Sequence, residues 1–170
     1  KVAKDYKKII LIHNACLFKK DAITTITPAT LLDSCKISLL APILINKAFV
    51  KLMKKGSAII YIGSTLAEKA VQNTASYTII KHATLGAMRA TCQDLQENPS
   101  IHTCCVCPGF TDTKMLHKHI DKNTLENIKS RVSSNRLITA KEVADIIYYC
   151  TRQKVLNGSV VHANLGQKEY

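Results

Sequence analysis

The chain has 170 residues, of which 46% are hydrophobic and 21% are charged, so it suits one globular domain and is too apolar for a disordered chain. Its formal net charge is +12, but the excess comes mainly from lysines scattered in pairs, with no interleaved aromatic residues. This pattern favours a solvated surface over a nucleic-acid-binding module, an alternative that salt-sensitive binding would reveal.

The first predicted strand spans residues 9–15, a continuous apolar run of the kind that is buried on both faces of a parallel sheet. Thr27 and Pro28 then predict a helix start, with Thr as the cap and Pro in the first turn. Apolar residues recur at helical spacing beyond this point, and Pro42 predicts a break or kink. Because Pro42 also interrupts the longest apolar run, residues 39–45, we expect no segment that spans a membrane.

Strands and helices alternate through the rest of the chain. Further strands are predicted at residues 58–62, 101–107 and 159–163, and further helices at 76–95 and 139–152, the last opened by a Thr139–Glu142 capping box. A polar, lysine-rich segment lies at 114–138. The alternation predicts an α/β fold in one domain, a Rossmann-like open parallel sheet with helices on both faces.

Small or polar residues follow three of these strands. They are His13-Asn14-Ala15, Gly63-Ser64 and Pro108-Gly109. In open α/β sheets, ligands bind in the crevice outside the carboxyl ends of the strands. The sequence therefore predicts a binding crevice at this edge of the sheet.

Tyr77-x-x-x-Lys81 opens the predicted helix at 76–95. A spacing of four places both side chains on one helix face, where an ammonium beside a phenol favours the phenolate. Such a pair can pass a proton to or from an alcohol, and the Ser64 hydroxyl could hold the substrate oxygen beside it. Alone, this spacing occurs in many helices by chance. Its place between a strand ending in Gly-Ser and one ending in Pro-Gly favours the catalytic interpretation.

Seven cysteines show no paired disulfide spacing. Cys104 and Cys107 have the spacing of metal ligands, but a structural zinc site needs a second pair. In a strand, Cys105 and Cys107 share one face and Cys104 points to the other. We therefore expect no metal, but buried thiols in a reducing, cytoplasmic environment.

Taken together, the motifs resemble the short-chain dehydrogenase/reductase family, especially its 3-oxoacyl-(acyl-carrier-protein) reductase-like members. IILIHNAC resembles the "LVNNAG" strand, and GSAIIYIGS followed by YTIIK resembles the serine strand and the YxxxK helix. VCPGFTDTKM resembles the "PG…T" segment, and NGSVVHANLG resembles the last strand. These motifs occur in the family's order and cover nearly all of residues 8–166.

The resemblance implies an oxidoreductase that moves a hydride between NAD or NADP and a carbonyl or secondary alcohol. Tyr77 would be the acid–base catalyst. Lys81 would stabilise its phenolate and bind the nicotinamide ribose. Ser64 would polarise the substrate carbonyl.

The resemblance also implies a cofactor site. Asn14 and Ala15 would line the adenosine side, and Pro108 and Gly109 would shape the floor near the nicotinamide. Thr113 would contact the carboxamide or a phosphate. The segment 114–138 corresponds in place to the family's substrate flap, with an ordinary surface loop that contains a short helix as the alternative.

The sequence departs from the family in several places. It starts just before the strand at 9–15, so we expect that the family's first βαβ portion, with its TGxxxGxG loop, is missing. Ser38 stands where the family has a catalytic Asn, and Cys16 stands where it has Gly. These departures leave a second hypothesis, a catalytically incompetent remnant or a scaffold and binding protein.

By resemblance, we expect a homodimer or homotetramer that buries the helices around 42–55 and 77–95. The expected ligands are a small-molecule carbonyl or alcohol and the nucleotide cofactor. No nucleic-acid or membrane partner is expected.

Overall fold

The computed structural model describes residues 8–97 and 101–167. Four parallel strands form one sheet in chain order, β1-β2-β3-β4. They are β1 (Ile10–His13), β2 (Ser57–Ile62), β3 (Ile101–Pro108) and β4 (Val160–Ala163). The predicted α/β class with an open parallel sheet is therefore confirmed.

Six α-helices accompany the sheet in the described part of the chain. They are α1 (Pro28–Cys35), α2 (Ala41–Phe49), α3 (Ala75–Asp94), α4 (Lys114–His119), α5 (Lys122–Ser130) and α6 (Ala140–Cys150). The segment 114–138 thus contains two short helices, α4 and α5.

The two central strands are buried on both faces. On β2, Ile59 and Tyr61 pack towards Leu85 and Met88 of α3, whereas Ile60 and Ile62 pack on the opposite face towards Cys150 of α6. The same alternation holds on β3, because successive side chains of a strand point to opposite faces. Helices therefore cover both faces, as the apolar runs predicted.

The helix around Pro42 is continuous, so of the predicted break or kink the break is wrong. A π-helical turn at Lys36–Leu40 joins α1 to α2, and the Ala41 N–H donates to the carbonyl of Lys36, five residues earlier. Pro42 has no N–H to donate to the Ser38 carbonyl. The wider π turn absorbs this loss without ending the helix.

The resulting helical segment, Pro28–Leu52, is long and apolar enough by length and composition to cross a membrane. The expectation that no segment reaches that length is therefore wrong, because it assumed an interruption at Pro42. Its buried positions recur every four residues and are mostly polar: Ser34, Ser38, Pro42 and Asn46. The helix faces the rest of the fold with this stripe, and its apolar side lies open.

The predicted capping box of α6 is confirmed and extended. Thr139 accepts from the Glu142 N–H, and the Glu142 carboxylate accepts from the Thr139 N–H and from Arg136. The hydrogen bond from Arg136, with those from Thr139, lowers the pKa of Glu142 from its ordinary 4.5 to about 2.

We predict that Glu142→Gln destabilises the protein in a pH-dependent way. Because the folded-state pKa of Glu142 lies below its unfolded value, its contribution is fully present above about pH 4.5 and is lost as pH falls towards 2. The difference in melting temperature between wild type and variant should shrink over that window. Glu126→Gln, on the exposed face of α5, serves as the control; an equal pH dependence in both variants would contradict the prediction.

Candidate active site

The three residue groups predicted to line a crevice follow the carboxyl ends of β1, β2 and β3. Because the strands are parallel, these ends lie on the same side of the sheet. Gly63 continues β2, with its N–H donating to the Val106 carbonyl over 2.8 Å. Gly109 continues β3, with its N–H donating to Ala163 over 3.0 Å. These bonds hold the ends of β2, β3 and β4 together.

Ser64 caps the short 3-10 turn Thr65–Ala67 that follows β2. Its Oγ accepts the Leu66 N–H over 3.2 Å, and this turn packs against α3. In this bond Ser64 Oγ is the acceptor, so its hydroxyl hydrogen remains available to donate to a ligand. Ser64 is therefore a fixed hydroxyl donor at the edge of the sheet.

Lys81 connects α3 to this edge. Its side chain is buried, at 4% exposure, and its Nζ donates to the Ile62 carbonyl over 2.8 Å. The same Nζ lies 5.4 Å from the centroid of the Tyr77 ring, and Tyr77 is half-buried. A buried ammonium thus lies between a phenol and the carbonyl of Ile62, the last residue of β2. Gly63 and Ser64 follow Ile62 directly in the sequence.

Gly63 has no room for a side chain. A Cβ at this position would lie 2.6 Å from Cys107 Sγ and 2.8 Å from Cys105 Sγ. The two sulfurs lie 3.8 Å apart and are fully buried. The hydrogen bond to Cys107, together with burial, raises the pKa of Cys105, so this thiol stays neutral beside Lys81. As predicted, Cys105 and Cys107 share a face and Cys104 lies on the other.

Asp21 is a site residue that sequence reasoning missed. Its Oδ1 accepts the Ser76 N–H over 2.9 Å, and its carbonyl accepts the Ala75 N–H over 3.0 Å. Asp21 therefore caps α3 from 54 and 55 residues away, at the helix end that carries Tyr77. Thr74, the local cap position, makes no capping side-chain bond. No local pattern reveals such a distant cap.

Phe18 was also missed. Its ring contacts Tyr77 edge to face, with centroids 5.0 Å apart, and contacts His119 at 4.9 Å. His119 is the last residue of α4. Phe18 thus joins α3 to the segment 114–138, and its only sequence signal was an aromatic side chain just past a strand end.

Ser38 lies in the π-helical turn, which packs against α3. Its side chain is buried at 7% exposure, and its Oγ has no hydrogen-bond partner among the described residues. Buried hydroxyl groups are usually bonded. Ser38 therefore has spare hydrogen-bonding capacity on the helix face that meets α3.

The residues expected to hold a cofactor are arranged around the same edge. Asn14 and Ala15 are exposed just beyond β1, and Pro108 ends β3. Gly109 is closely packed, since a Cβ there would lie 3.0 Å from Asn164 Cα. Thr113 caps α4 by accepting the Leu116 N–H over 3.3 Å, which leaves its hydroxyl hydrogen free.

A chain of hydrogen bonds fixes the end of β1. Thr91 Oγ donates to the Ala87 carbonyl, so Tyr61 donates to Thr91 and receives a bond from Asn46 Nδ2. Asn46 Oδ1 can then only accept from His13 Nε2, over 2.8 Å. Burial lowers the pKa of His13 from its ordinary 6.5, and the bond to Asn46 offsets part of this. The network ties His13 to α2 and α3.

Metal chemistry finds no support in residues 8–97 and 101–167. No group of three or more His, Cys, Asp or Glu side chains there could hold a metal ion. All seven cysteines are free thiols.

A family model described as enoyl-(acyl carrier protein) reductase matches residues 1–168. The chain is 32% identical over 114 residues to dehydrogenase/reductase SDR family member 6 of Danio rerio, covering 62% of this chain and 46% of that protein. It is 32% identical over 97 residues to the short-chain dehydrogenase virB of Hypocrea virens, covering 55% and 39%. It thus spans about half the length, or less, of these curated relatives.

Two solved structures share the fold. The angucycline C-6 ketoreductase LanV, solved with bound NADP, aligns with a TM-score of 0.84 at 20% identity over 93% of this chain and 62% of that one. The 4-hydroxyisoleucine dehydrogenase complexed with NADH aligns with a TM-score of 0.81 at 20% identity over 94% and 68%.

We predict that Asp21→Ala destabilises the protein by about 1–2 kcal/mol, because the end of α3 loses a charged cap. Asp21→Asn keeps an oxygen at the Oδ1 position and should cost less. The measurement is the free energy of unfolding in urea. Asp33→Ala, which removes an exposed carboxylate of α1, is the control, and an equal loss in Asp33→Ala would refute the capping role of Asp21.

Proposed function

The chain belongs to the short-chain dehydrogenase/reductase family, and on that premise we propose that the protein interconverts a carbonyl and a secondary alcohol with NAD or NADP. In this proposal Tyr77 is the acid–base catalyst, and Lys81 and Ser64 assist it. One observation carries the proposal: the Lys81 ammonium lies 5.4 Å from the Tyr77 ring and is hydrogen-bonded to the strand end that leads into Ser64.

The nicotinamide-ribose half of a dinucleotide fits the residues present. Lys81 uses one of its three N–H bonds on Ile62, so two remain for ribose hydroxyls. The free hydroxyl hydrogen of Thr113 suits a carboxamide or phosphate oxygen, and Asn14 and Ala15 offer an exposed polar edge for the adenosine side. The six glycines of the sequence include no GxGxxG loop, so the usual pyrophosphate cradle has no counterpart in it.

A bound nicotinamide would supply or accept the hydride. In the reducing direction, the Ser64 O–H donates a hydrogen bond to the substrate carbonyl oxygen and holds it beside Tyr77. As negative charge develops on that oxygen, the Tyr77 O–H transfers its proton to it. The Lys81 ammonium stabilises the resulting phenolate. In the oxidising direction, the phenolate accepts the proton from the alcohol.

The relatives support this reaction class. LanV is named as a ketoreductase, and its structure holds NADP, whereas the hydroxyisoleucine enzyme holds NADH. Both nucleotides therefore belong in the proposal. The finer proposal is a 3-oxoacyl reductase-like activity. In it, the segment 114–138 acts as the flap that covers the substrate. Met115 is exposed on α4, and the Phe18–His119 contact brings this helix to Tyr77.

A second candidate is a binding protein that keeps the scaffold without turnover. Ser38 favours it, because a serine occupies the position of the family's catalytic Asn and its hydroxyl has no hydrogen-bond partner in the part of the chain that the structure describes. Binding of NADPH without turnover of any ketone would support this candidate over the enzyme.

We also propose that the protein assembles as a homodimer or homotetramer through α2 and α3. A groove of about 510 Å³ lies between these helices, lined by Ile43, Val50, Ala87, Ala90 and Leu95 among others. Ile43 and Leu44 are about half exposed. Contiguous apolar surface of this kind is typical of an interaction face.

For the catalytic proposal, we predict that Tyr77→Phe lowers turnover roughly 100-fold or more, because it removes the proton donor alone. Turnover is measured as NAD(P)H consumption with a panel of ketones. Tyr148→Phe, on the exposed face of α6, is the matched control and should keep full activity. Undiminished turnover in Tyr77→Phe would remove Tyr77 from the reaction.

Lys81→Met should weaken nucleotide binding and turnover together, because it deletes the ammonium and its anchor to Ile62. Calorimetry measures the first effect and steady-state kinetics the second. Circular dichroism must show a native fold for the result to count. A folded variant with wild-type affinity and turnover would contradict the assignment.

For the assembly, we predict that Ile43→Glu yields monomers, since it buries a charge in an apolar interface. Ile23→Glu changes an equally apolar residue that is 77% exposed in a loop, and should leave the assembly intact. Sedimentation velocity distinguishes the species. A wild-type protein that sediments as a monomer would refute the proposal.

A further inference from the structure

A small basic pocket lies at the edge of the sheet opposite Tyr77. Its volume is about 220 Å³, and its lining is Lys8, Gly56, His102, Thr151, Arg152 and Lys154. Gly56 directly precedes β2 and His102 is the second residue of β3, so the pocket lies where the parallel strands begin. A six-residue strand is about 20 Å long, which separates this pocket from Ser64 at the other end of β2.

The charge of the pocket selects an anion. Lys8, Arg152 and Lys154 are exposed cations, and none of the six described residues that line it is acidic. The guanidinium of Arg152 lies 5.6 Å from the centre of the Tyr148 ring, a cation–π distance that restrains the side chain. A restrained guanidinium with two neighbouring ammonium groups is a typical setting for a phosphoryl group.

His102 adds an observation that does not depend on surface charge. It is 4% exposed, and its Nε2 lies 2.8 Å from the Cys150 carbonyl, which can only accept. Nε2 therefore carries the hydrogen, and in the neutral ring Nδ1 is an acceptor. This Nδ1 is buried and has no partner among the described residues. Buried polar atoms are rarely left without one.

We propose that this pocket binds a phosphoryl group that carries a proton. The three cations neutralise its charged oxygens, and its P–OH donates to His102 Nδ1. Inorganic phosphate at neutral pH always retains one P–OH, whereas sulfate has none. The pocket therefore distinguishes two tetrahedral anions of similar size through a single hydrogen bond. At neutral pH the ligand is therefore inorganic phosphate; a phosphomonoester keeps a P–OH only below its second pKa of about 6, and its substituent would leave through the open side.

The test compares inorganic phosphate with sulfate at equal ionic strength and neutral pH. We expect phosphate to bind in calorimetry and to shift the ¹⁵N resonance of His102 Nδ1, and sulfate to do neither. Arg152→Gln combined with Lys154→Gln should weaken phosphate binding roughly tenfold or more. Lys122→Gln combined with Arg131→Gln removes the same charge from α5 and should keep full affinity. These four positions are exposed, so the variants should fold.

Phenyl phosphate is tested at about pH 5.5, where it keeps its P–OH; competition there would assign the site to phosphomonoesters, and failure to compete would assign it to the free ion. Either result supports the site. The proposal is overturned if phosphate and sulfate give equal responses, if the Arg152–Lys154 variant retains wild-type affinity, or if the His102 resonance does not move. None of these readouts requires catalysis, so they remain decisive even if the protein proves inactive as an oxidoreductase.

Discussion

One buried hydrogen bond organises the carboxyl end of the sheet: Lys81 Nζ donates to the carbonyl of Ile62. A buried ammonium is costly unless its donors are satisfied, so the lysine must find acceptors where helix and sheet meet. The carbonyl of Ile62, the last residue of β2, is such an acceptor. Its hydrogen bond holds the turn of α3 that bears Lys81 against the start of the Ser64 loop. The long helix supplies the phenol one turn earlier. The relative positions of all three side chains therefore follow from one anchored charge.

The same helix is held at its beginning by a residue from a distant loop. Asp21 bonds to the backbone at Ser76, and the loop that contains it also carries Phe18, which contacts Tyr77. A single loop thus caps α3 and contacts its Tyr77 side chain. The start of α3 and the packing of Tyr77 therefore depend on the same loop.

Much of the fold was readable from the sequence. The strand predicted at 58–62 occupies Ser57–Ile62, and the helix predicted at 76–95 occupies Ala75–Asp94, because apolar periodicity is a local signal. Asp21 and Phe18 escaped because their partners lie far away along the chain, and no local pattern encodes such contacts. At Pro42 the rule that proline breaks helices failed, since it considers only the lost hydrogen bond and not the alternative π turn that the chain can form. The Tyr77, Lys81 and Ser64 assignment came from motif order rather than from composition.

The close approach of the Cys105 and Cys107 sulfurs to Gly63 constrains how these positions can evolve. The space beneath the serine loop is filled by two sulfur atoms and the bare α-carbon of a glycine. Enlarging any one of the three positions requires another to shrink, or else displaces the loop that presents the serine. Changes here are therefore expected in compensating pairs, and a lone bulky replacement would displace the Ser64 loop.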